Sequence, residues 1–216
     1  MSSLRFQYQT IEFNEVDIHL RTLRDKQQFL DVNDVAEKLG ISSAQWSLFG
    51  VVWPSSEVLA HLMFEFDIKG KRILEIGCGI ALTSLILNQR KADITATDYH
   101  PEAETFLLKN TNLNDGKSIP FIRTGWADKI SELGEFDLIV GSDLLYEKEH
   151  AGLLSEFINQ HAKQKCEVII VDPGRGRHAN FSKKMVKLGY SHKQCKPEYS
   201  GYLEKEFKGQ ILSYVR

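Results

Sequence analysis

From residue 55 to residue 188, short apolar runs alternate with longer stretches of helical periodicity, and this alternation limits the available folds more than any other feature of the chain. The runs are Arg72–Ile76, Asp93–Thr97, Ile119–Arg123, Phe136–Gly141 and Glu167–Val171. Between and around them, helices are expected through Phe66 with Ser55 or Ser56 as cap, over about Ala81–Arg90, from Pro101 to about Asn112, over about Glu149–Ala162, and over Ala179–Leu188. Strands regularly separated by helices predict a parallel sheet with crossover helices, an α/β fold.

The two ends depart from that pattern. Phe6, Tyr8, Ile11, Phe13, Val16, Ile18 and Leu20 recur mostly at two-residue spacing around a turn-forming Asn14-Glu15, which predicts an N-terminal hairpin. Asp34–Ser42 reads as a short helix stopped by Gly40 and is similar to the opening of a helix-turn-helix. A DNA-reading second helix needs a polar, basic face, whereas Ala44–Pro54 supplies Trp46, Leu48, Phe49, Val51, Val52 and Trp53, so DNA reading is not expected there. At the other end, Tyr190, Tyr202, Phe207 and the run Ile211–Val215 predict a terminal antiparallel pair closing the sheet edge.

A length of 216 residues suits one domain, and no linker, repeat or low-complexity tract divides it. With 42% hydrophobic and 26% charged residues the composition excludes a disordered tail protein and a membrane bundle. The first ten residues lack the apolar stretch of a signal peptide, and no run approaches about 18 apolar residues. Three cysteines without a Cys-x-x-Cys pair, and seven histidines without a His-x-x-x-His pair, support neither a disulfide framework nor a metal site. The cytoplasm is the expected compartment. Residues 175–216 carry net charge +7 against −9 for the rest, but Lys183, Lys184 and Lys187 are spaced like the wet side of a helix.

The segment Ile73-Leu74-Glu75-Ile76-Gly77-Cys78-Gly79-Ile80-Ala81 runs a buried strand straight into a glycine turn and a helix. In open parallel sheets, ligands bind outside the carboxyl ends of strands where the strand order reverses. Asp98 follows at the end of the next strand, and a carboxylate there can accept both hydroxyls of a ribose. A dinucleotide fingerprint needs a further glycine where this chain has Leu82. An acid at Glu75 suits an ammonium and a sulfonium better than a pyrophosphate, and S-adenosylmethionine carries both positive groups.

Glu75-x-Gly77-x-Gly79 with Asp98 resembles the cofactor motif of class I, seven-stranded S-adenosylmethionine-dependent methyltransferases, and the likeness runs from about Phe49 to the C-terminus. The resemblance implies a Rossmann-like, seven-stranded, mostly parallel sheet with helices on both faces and an antiparallel C-terminal strand. Residues 49–216 would form the catalytic core, and residues 1–48 an extension carrying the hairpin and helix. Phe136–Tyr146 ends in Asp143-Leu144-Leu145-Tyr146, which is similar to the Asp/Glu-x-x-Tyr hallmark of the protein lysine methyltransferases of that class. Phe49-Gly50-Val51-Val52-Trp53-Pro54 looks like that branch's segment in which a tryptophan lies against the cofactor. Asp172-Pro173-Gly174-Arg175 is similar to a motif of the members that methylate the beta subunit of electron-transfer flavoprotein and of their bacterial relatives.

The resemblance thus implies Asp143 and Tyr146 as catalytic residues, and Trp53, Glu75, Gly77, Cys78, Gly79, Asp98, Trp126 and Ser142 around the cofactor. Trp53 and Trp126 also read as core residues, Asp143 as a helix cap, and Cys78 and Ser142 as contacts through the backbone alone. Base-methylating enzymes carry Pro-Pro and an aromatic after the strand-end acid, where Leu144 and Leu145 stand here, and Cys78 is badly placed to attack a base. Nucleic acid is therefore not the expected acceptor. A protein lysine is expected, with a small-molecule amine as the alternative and a non-catalytic cofactor-binding interaction protein as the reading from a different class.

Overall fold

The computed structural model describes residues 4–128 and 131–216. An N-terminal hairpin, β1 (Phe6–Phe13) and β2 (Val16–Leu23), precedes two one-turn helices, α1 (Val35–Lys38) and α2 (Ser43–Trp46). The alternating part follows: α3 (Pro54–Glu65), β3 (Arg72–Ile76), α4 (Leu82–Gln89), β4 (Asp93–Asp98), α5 (Ala103–Leu113), β5 (Phe121–Arg123), β6 (Phe136–Ser142), α6 (His150–His161), β7 (Ala162–Asp172) and α7 (His178–Lys187). Strands β8 (Ser191–Cys195) and β9 (Gln210–Val215) end the chain. The seven-stranded sheet has the order β5-β4-β3-β6-β7-β9-β8, and β9 is antiparallel to both its neighbours.

Alternation along the strands divides the interior in two. Ile73, Leu138, Val140, Ile169 and Val171 face one core with α3, α4 and α5, whereas Leu74, Ile76, Ile139, Val168 and Ile170 face a second core with α6 and α7. The hairpin belongs to the first core through Ile18, Leu20 and Leu23. Its outer edge is closed by α5: the backbone N–H groups of His19 and Arg21 donate to the side-chain oxygens of Asn114 and Asn110, both at 2.8 Å. Two asparagines one helical turn apart thus match the two-residue repeat of an edge strand.

Two local expectations are corrected. Trp53, not a serine, is the N-cap of α3; Ser56 lies inside the first turn, accepting the Trp53 N–H at 3.2 Å and donating to its carbonyl at 2.7 Å. Strand β7 starts at Ala162, so the polar residues Lys163, Gln164 and Lys165 belong to it and not to a loop. The expected terminal antiparallel pair does close the sheet edge: β9 hydrogen-bonds to β7, and the wholly exposed β8, Ser-His-Lys-Gln-Cys, is the outermost strand.

Candidate active site

Strand β3 has β4 on one side and β6 on the other, so the chain order reverses at the carboxyl end of β3. There Gly77, Gly79 and Ala81 all take left-handed backbone angles, φ +61°, +55° and +63°, and fold the chain sharply into α4. A Cβ on Gly79 would stand 2.9 Å from the Phe49 carbonyl oxygen, and one on Gly77 would stand 2.6 Å from a methyl of Leu144. The turn is therefore pressed from one side by the segment before Trp53 and from the other by the residue after Asp143. The same Leu144 side chain approaches Gly141 and fills the space above the ends of β3 and β6.

Both acids of the expected cofactor motif are tied to this turn. Asp98 accepts the N–H of Gly79 on Oδ2 and that of His100 on Oδ1, each at 2.8 Å, and burial pushes its carboxyl above the usual range. Glu75 is 3% exposed and accepts both the backbone N–H of Ser84, at 2.9 Å, and its hydroxyl. The reason is local: Ala81, the N-cap of α4, has no side-chain acceptor, so a carboxylate from the preceding strand meets the N–H in the helix's first turn. Burial raises the Glu75 carboxyl from 4.5 to about 7. The Glu75 carboxylate thus braces the helix beneath the turn. The Cys78 thiol is buried, and burial pushes its pKa well above the ordinary range, away from nucleophile chemistry.

The N-terminal segment roofs the end of β4. Phe49 stacks on His100 with ring centroids 3.8 Å apart, and Tyr99 donates its hydroxyl to the Leu39 carbonyl at 2.8 Å. Trp53 donates its indole N–H to the Leu48 carbonyl at 2.8 Å, and the Lys26 ammonium lies 4.7 Å from its ring centre. Trp53 is thus held within its own segment, four residues past the carbonyl that touches the glycine turn.

The acceptor side is built on β6. Asp143 follows Ser142, the last residue of the strand, and adopts φ +54° while its N–H continues the ladder to the Val171 carbonyl at 2.9 Å. Its carboxylate receives the Arg175 guanidinium on both oxygens, Nε to Oδ1 at 2.5 Å and Nη2 to Oδ2 at 2.8 Å. Tyr146 is 43% exposed, and its ring meets His150 edge-on at 4.5 Å; Trp126 meets the other side of His150 at 4.9 Å. His150 is fixed by a 2.9 Å hydrogen bond between Nδ1 and the Leu144 carbonyl. Burial raises the Tyr146 phenol, helped by the nearby carboxylates of Asp98, Glu147 and Asp143. Trp126, in the loop after β5, is therefore joined to Tyr146 through His150.

Glu75, Gly77, Cys78, Gly79, Asp98, Ser142, Asp143 and Tyr146 thus lie at the carboxyl ends of β3, β4 and β6 or in the loops that follow, with Trp126 in the loop after β5 and Trp53 at the start of α3. Sequence reasoning missed the roles of Ser84, His100, Leu144, His150 and Arg175. Arg175 had a signal, an arginine between two glycines just past a strand end. A groove of about 530 Å³ lies at the opposite, amino ends of the strands and is lined by Lys69, Lys71, Arg72, Arg90, Lys91 and Lys163 among others. Its cations serve the fold: Arg90 donates to the Met63 and Phe66 carbonyls at the end of α3, Lys71 pairs with Glu167, and Lys163 pairs with Asp137.

The model of a family described as lysine methyltransferase matches residues 35–187, more than half of the chain. The chain belongs to the lysine methyltransferase family. Among curated relatives, protein N-lysine methyltransferase METTL21A of Danio rerio is 33% identical over 118 residues, covering 50% of this chain and 54% of that protein. The electron transfer flavoprotein beta subunit lysine methyltransferase of Xenopus laevis is 28% identical over 139 residues, covering 62% and 54%. The chain spans about half the length of these relatives. Among solved structures, magnesium protoporphyrin IX methyltransferase from Synechocystis PCC 6803 superposes with TM-score 0.59 at 20% identity, covering 89% of this chain and 88% of that one, and so shares the fold. Among the described residues no helix is long and apolar enough to cross a membrane, and no cluster of His, Cys, Asp and Glu is fit to hold a metal ion.

Proposed function

We propose that this chain is an S-adenosylmethionine-dependent N-methyltransferase whose acceptor is a lysine of a protein. The observation that carries this reading is Asp143 and Tyr146 at the carboxyl end of β6, beside the glycine turn of β3, in a member of the lysine methyltransferase family. The turn fits the cofactor: Gly77 and Gly79 bare the backbone, and each oxygen of Asp98, with one N–H bound, keeps a lone pair for a ribose hydroxyl. Trp53 and Trp126 offer ring faces for the adenine, and Cys78 and Ser142 offer backbone. Glu75 contributes through α4 and through its charge beneath the turn, which a positive ligand favours.

Bound there, the cofactor supplies a methyl group on a positively charged sulfur. The acceptor must arrive as a neutral amine, because an ammonium has no lone pair to direct at that methyl, and burial beside a positive charge disfavours the ammonium. Asp143 would accept an N–H of the amine and fix the direction of its lone pair, and the Tyr146 ring would form a wall that favours the cation on nitrogen as the methyl leaves a sulfur that becomes neutral. Holding the amine in one orientation would supply most of the acceleration. We read residues 1–216 as one domain working in the cytoplasm; three cysteines free of disulfides, two of them buried, support a reducing compartment.

The test is incubation of the purified chain with methyl-labelled S-adenosylmethionine and cell lysate, in parallel with Asp143→Ala. Labelled, protease-sensitive bands that give methyllysine on hydrolysis and vanish with the variant are expected, with cofactor affinity held within about fivefold because Asp143 orients the acceptor. Label confined to small molecules would transfer the proposal to a small amine, and cofactor binding without any transfer would leave a binding protein. Methylhistidine or methylarginine in place of methyllysine would overturn the lysine assignment.

A further inference from the structure

Arg175 has no part in the mechanism above, yet its fork holds the carboxylate on which that mechanism turns. The loop that delivers it reads residue by residue from Asp172-Pro173-Gly174-Arg175. Asp172, 2% exposed at the end of β7, accepts the Gly174 N–H on Oδ1 at 2.7 Å and closes a tight turn. Gly174 takes φ +96°, an angle that costs a side-chain-bearing residue dearly, and the chain doubles back so that Arg175 reaches a carboxylate 32 positions earlier. Asp143 answers with its own left-handed backbone angle, which an aspartate tolerates better than most residues.

We infer that Arg175 is a positioning residue for the proposed transfer: it fixes the plane of the Asp143 carboxylate and cancels its field, so that the acceptor lysine is not held as an ammonium. This rests on the lysine reading. A bare carboxylate beside a lysine favours the charged amine, the form without a lone pair. A bidentate guanidinium removes that bias yet leaves each carboxylate oxygen a lone pair for the amine N–H. The need is sharper here because carboxylates crowd the site. Asp98 faces it from β4, Asp172 from β7 and Glu147 from the loop after β6, and the Tyr146 phenol among them is kept neutral by burial. Against them stand Arg175 itself and Arg177 beside His150 of α6, while the ring nitrogen Nδ1 of His178 lies 3.9 Å from Asp172. Without Arg175, Asp143 and Asp172 would act on the incoming amine without the cation they now share. A lysine at this position keeps the charge and loses the fork.

The test compares the full chain with Arg175→Met and Arg175→Lys, measuring initial rates of methyllysine formation on dialysed total cell protein with labelled cofactor between about pH 6.5 and about pH 9.5. Arg175→Met is expected to lose about tenfold or more at pH 7 and to recover toward the wild-type rate at the alkaline end, its acid limb moved up by about one pH unit. Arg175→Lys is expected to leave the limb in place and lose only about two- to fivefold. A uniform loss at every pH would make Arg175 a structural brace and overturn the inference, as would no loss at all. Wild-type protein that forms no methyllysine at any pH would overturn the lysine reading first. Melting temperature and cofactor affinity are measured for each variant. If Arg175→Met melts early, Arg175→Gln, which can still donate to Asp143 but carries no charge, makes the same comparison.

Discussion

The turn after β3 and the turn after β6 lie side by side and both use left-handed residues, yet their acids are held in opposite ways. Glu75 and Asp98 give their oxygens to N–H groups of the glycine turn, of the loop after β4 and of α4, and burial raises both. Asp143 gives its oxygens to a side chain, Arg175, that is itself 43% exposed. The first arrangement is a frame that tolerates little change, because three of its four bonds are to backbone N–H groups and set backbone position. The second can be retuned by one side chain without moving the sheet. A site divided in this way can change its acceptor side while its backbone-fixed half stays in place.

Gly79→Val should break the frame most severely. The new Cβ would stand 2.9 Å from the Phe49 carbonyl, a backbone atom that cannot step aside, and a β-branched residue at φ +55° is strained whatever the space. Destabilisation of at least about 3 kcal/mol is expected from denaturant melts, with loss of cofactor binding in whatever fraction folds. If Gly79→Val binds cofactor as the wild type does, the turn is not the frame described.

Glu75→Gln sharpens the comparison through pH. The folded carboxyl, raised from 4.5 to about 7, binds a proton that the unfolded chain has already released across that interval, so stability falls as pH rises from about 4.5 to about 7. At about 1.4 kcal/mol per pH unit the group costs the folded state up to about 3 kcal/mol above pH 7. A glutamine keeps an oxygen for Ser84 and carries no charge. The variant should therefore match the wild type near pH 4.5 and exceed it in melting temperature near pH 8. A gap that does not grow with pH would mean that Glu75 is comfortably ionised beneath the turn.

How much of this was legible depended on sequence distance. The strands of the sheet could be read because burial and period are local, and so could the hairpin, since Asn14-Glu15 separates two stretches of the same alternation. The place of β9 between β7 and β8 could not, because a strand's own residues do not carry its neighbours. Lys163, Gln164 and Lys165 fell outside the expected strand because polar residues opening a long strand carry no strand signal. In the site, the glycine turn and Asp143-x-x-Tyr146 are contiguous and were visible. The partnerships of Glu75 with Ser84 and of Asp143 with Arg175 span 9 and 32 positions, and they decide what each acid does.

Ala81→Gly is the smallest change and the finest probe of the frame. Ala81 repeats the left-handed angle of Gly77 and Gly79 at φ +63°, where the resemblance to class I enzymes leads one to expect a third glycine. An alanine in that region costs roughly 1–2 kcal/mol, so glycine relieves strain in the folded state. Glycine also gives the unfolded chain more freedom, which offsets roughly 0.5–1 kcal/mol of the gain. The alanine methyl is fully buried, and its loss takes back a little more. A net rise in stability of no more than about 1 kcal/mol is expected, with cofactor affinity unchanged because the substitution leaves Asp98 and Gly79 untouched. If Ala81→Gly instead destabilised the chain by 1 kcal/mol or more, the methyl group would be a packing element of the frame, and the left-handed strain at this position would be smaller than its backbone angle implies.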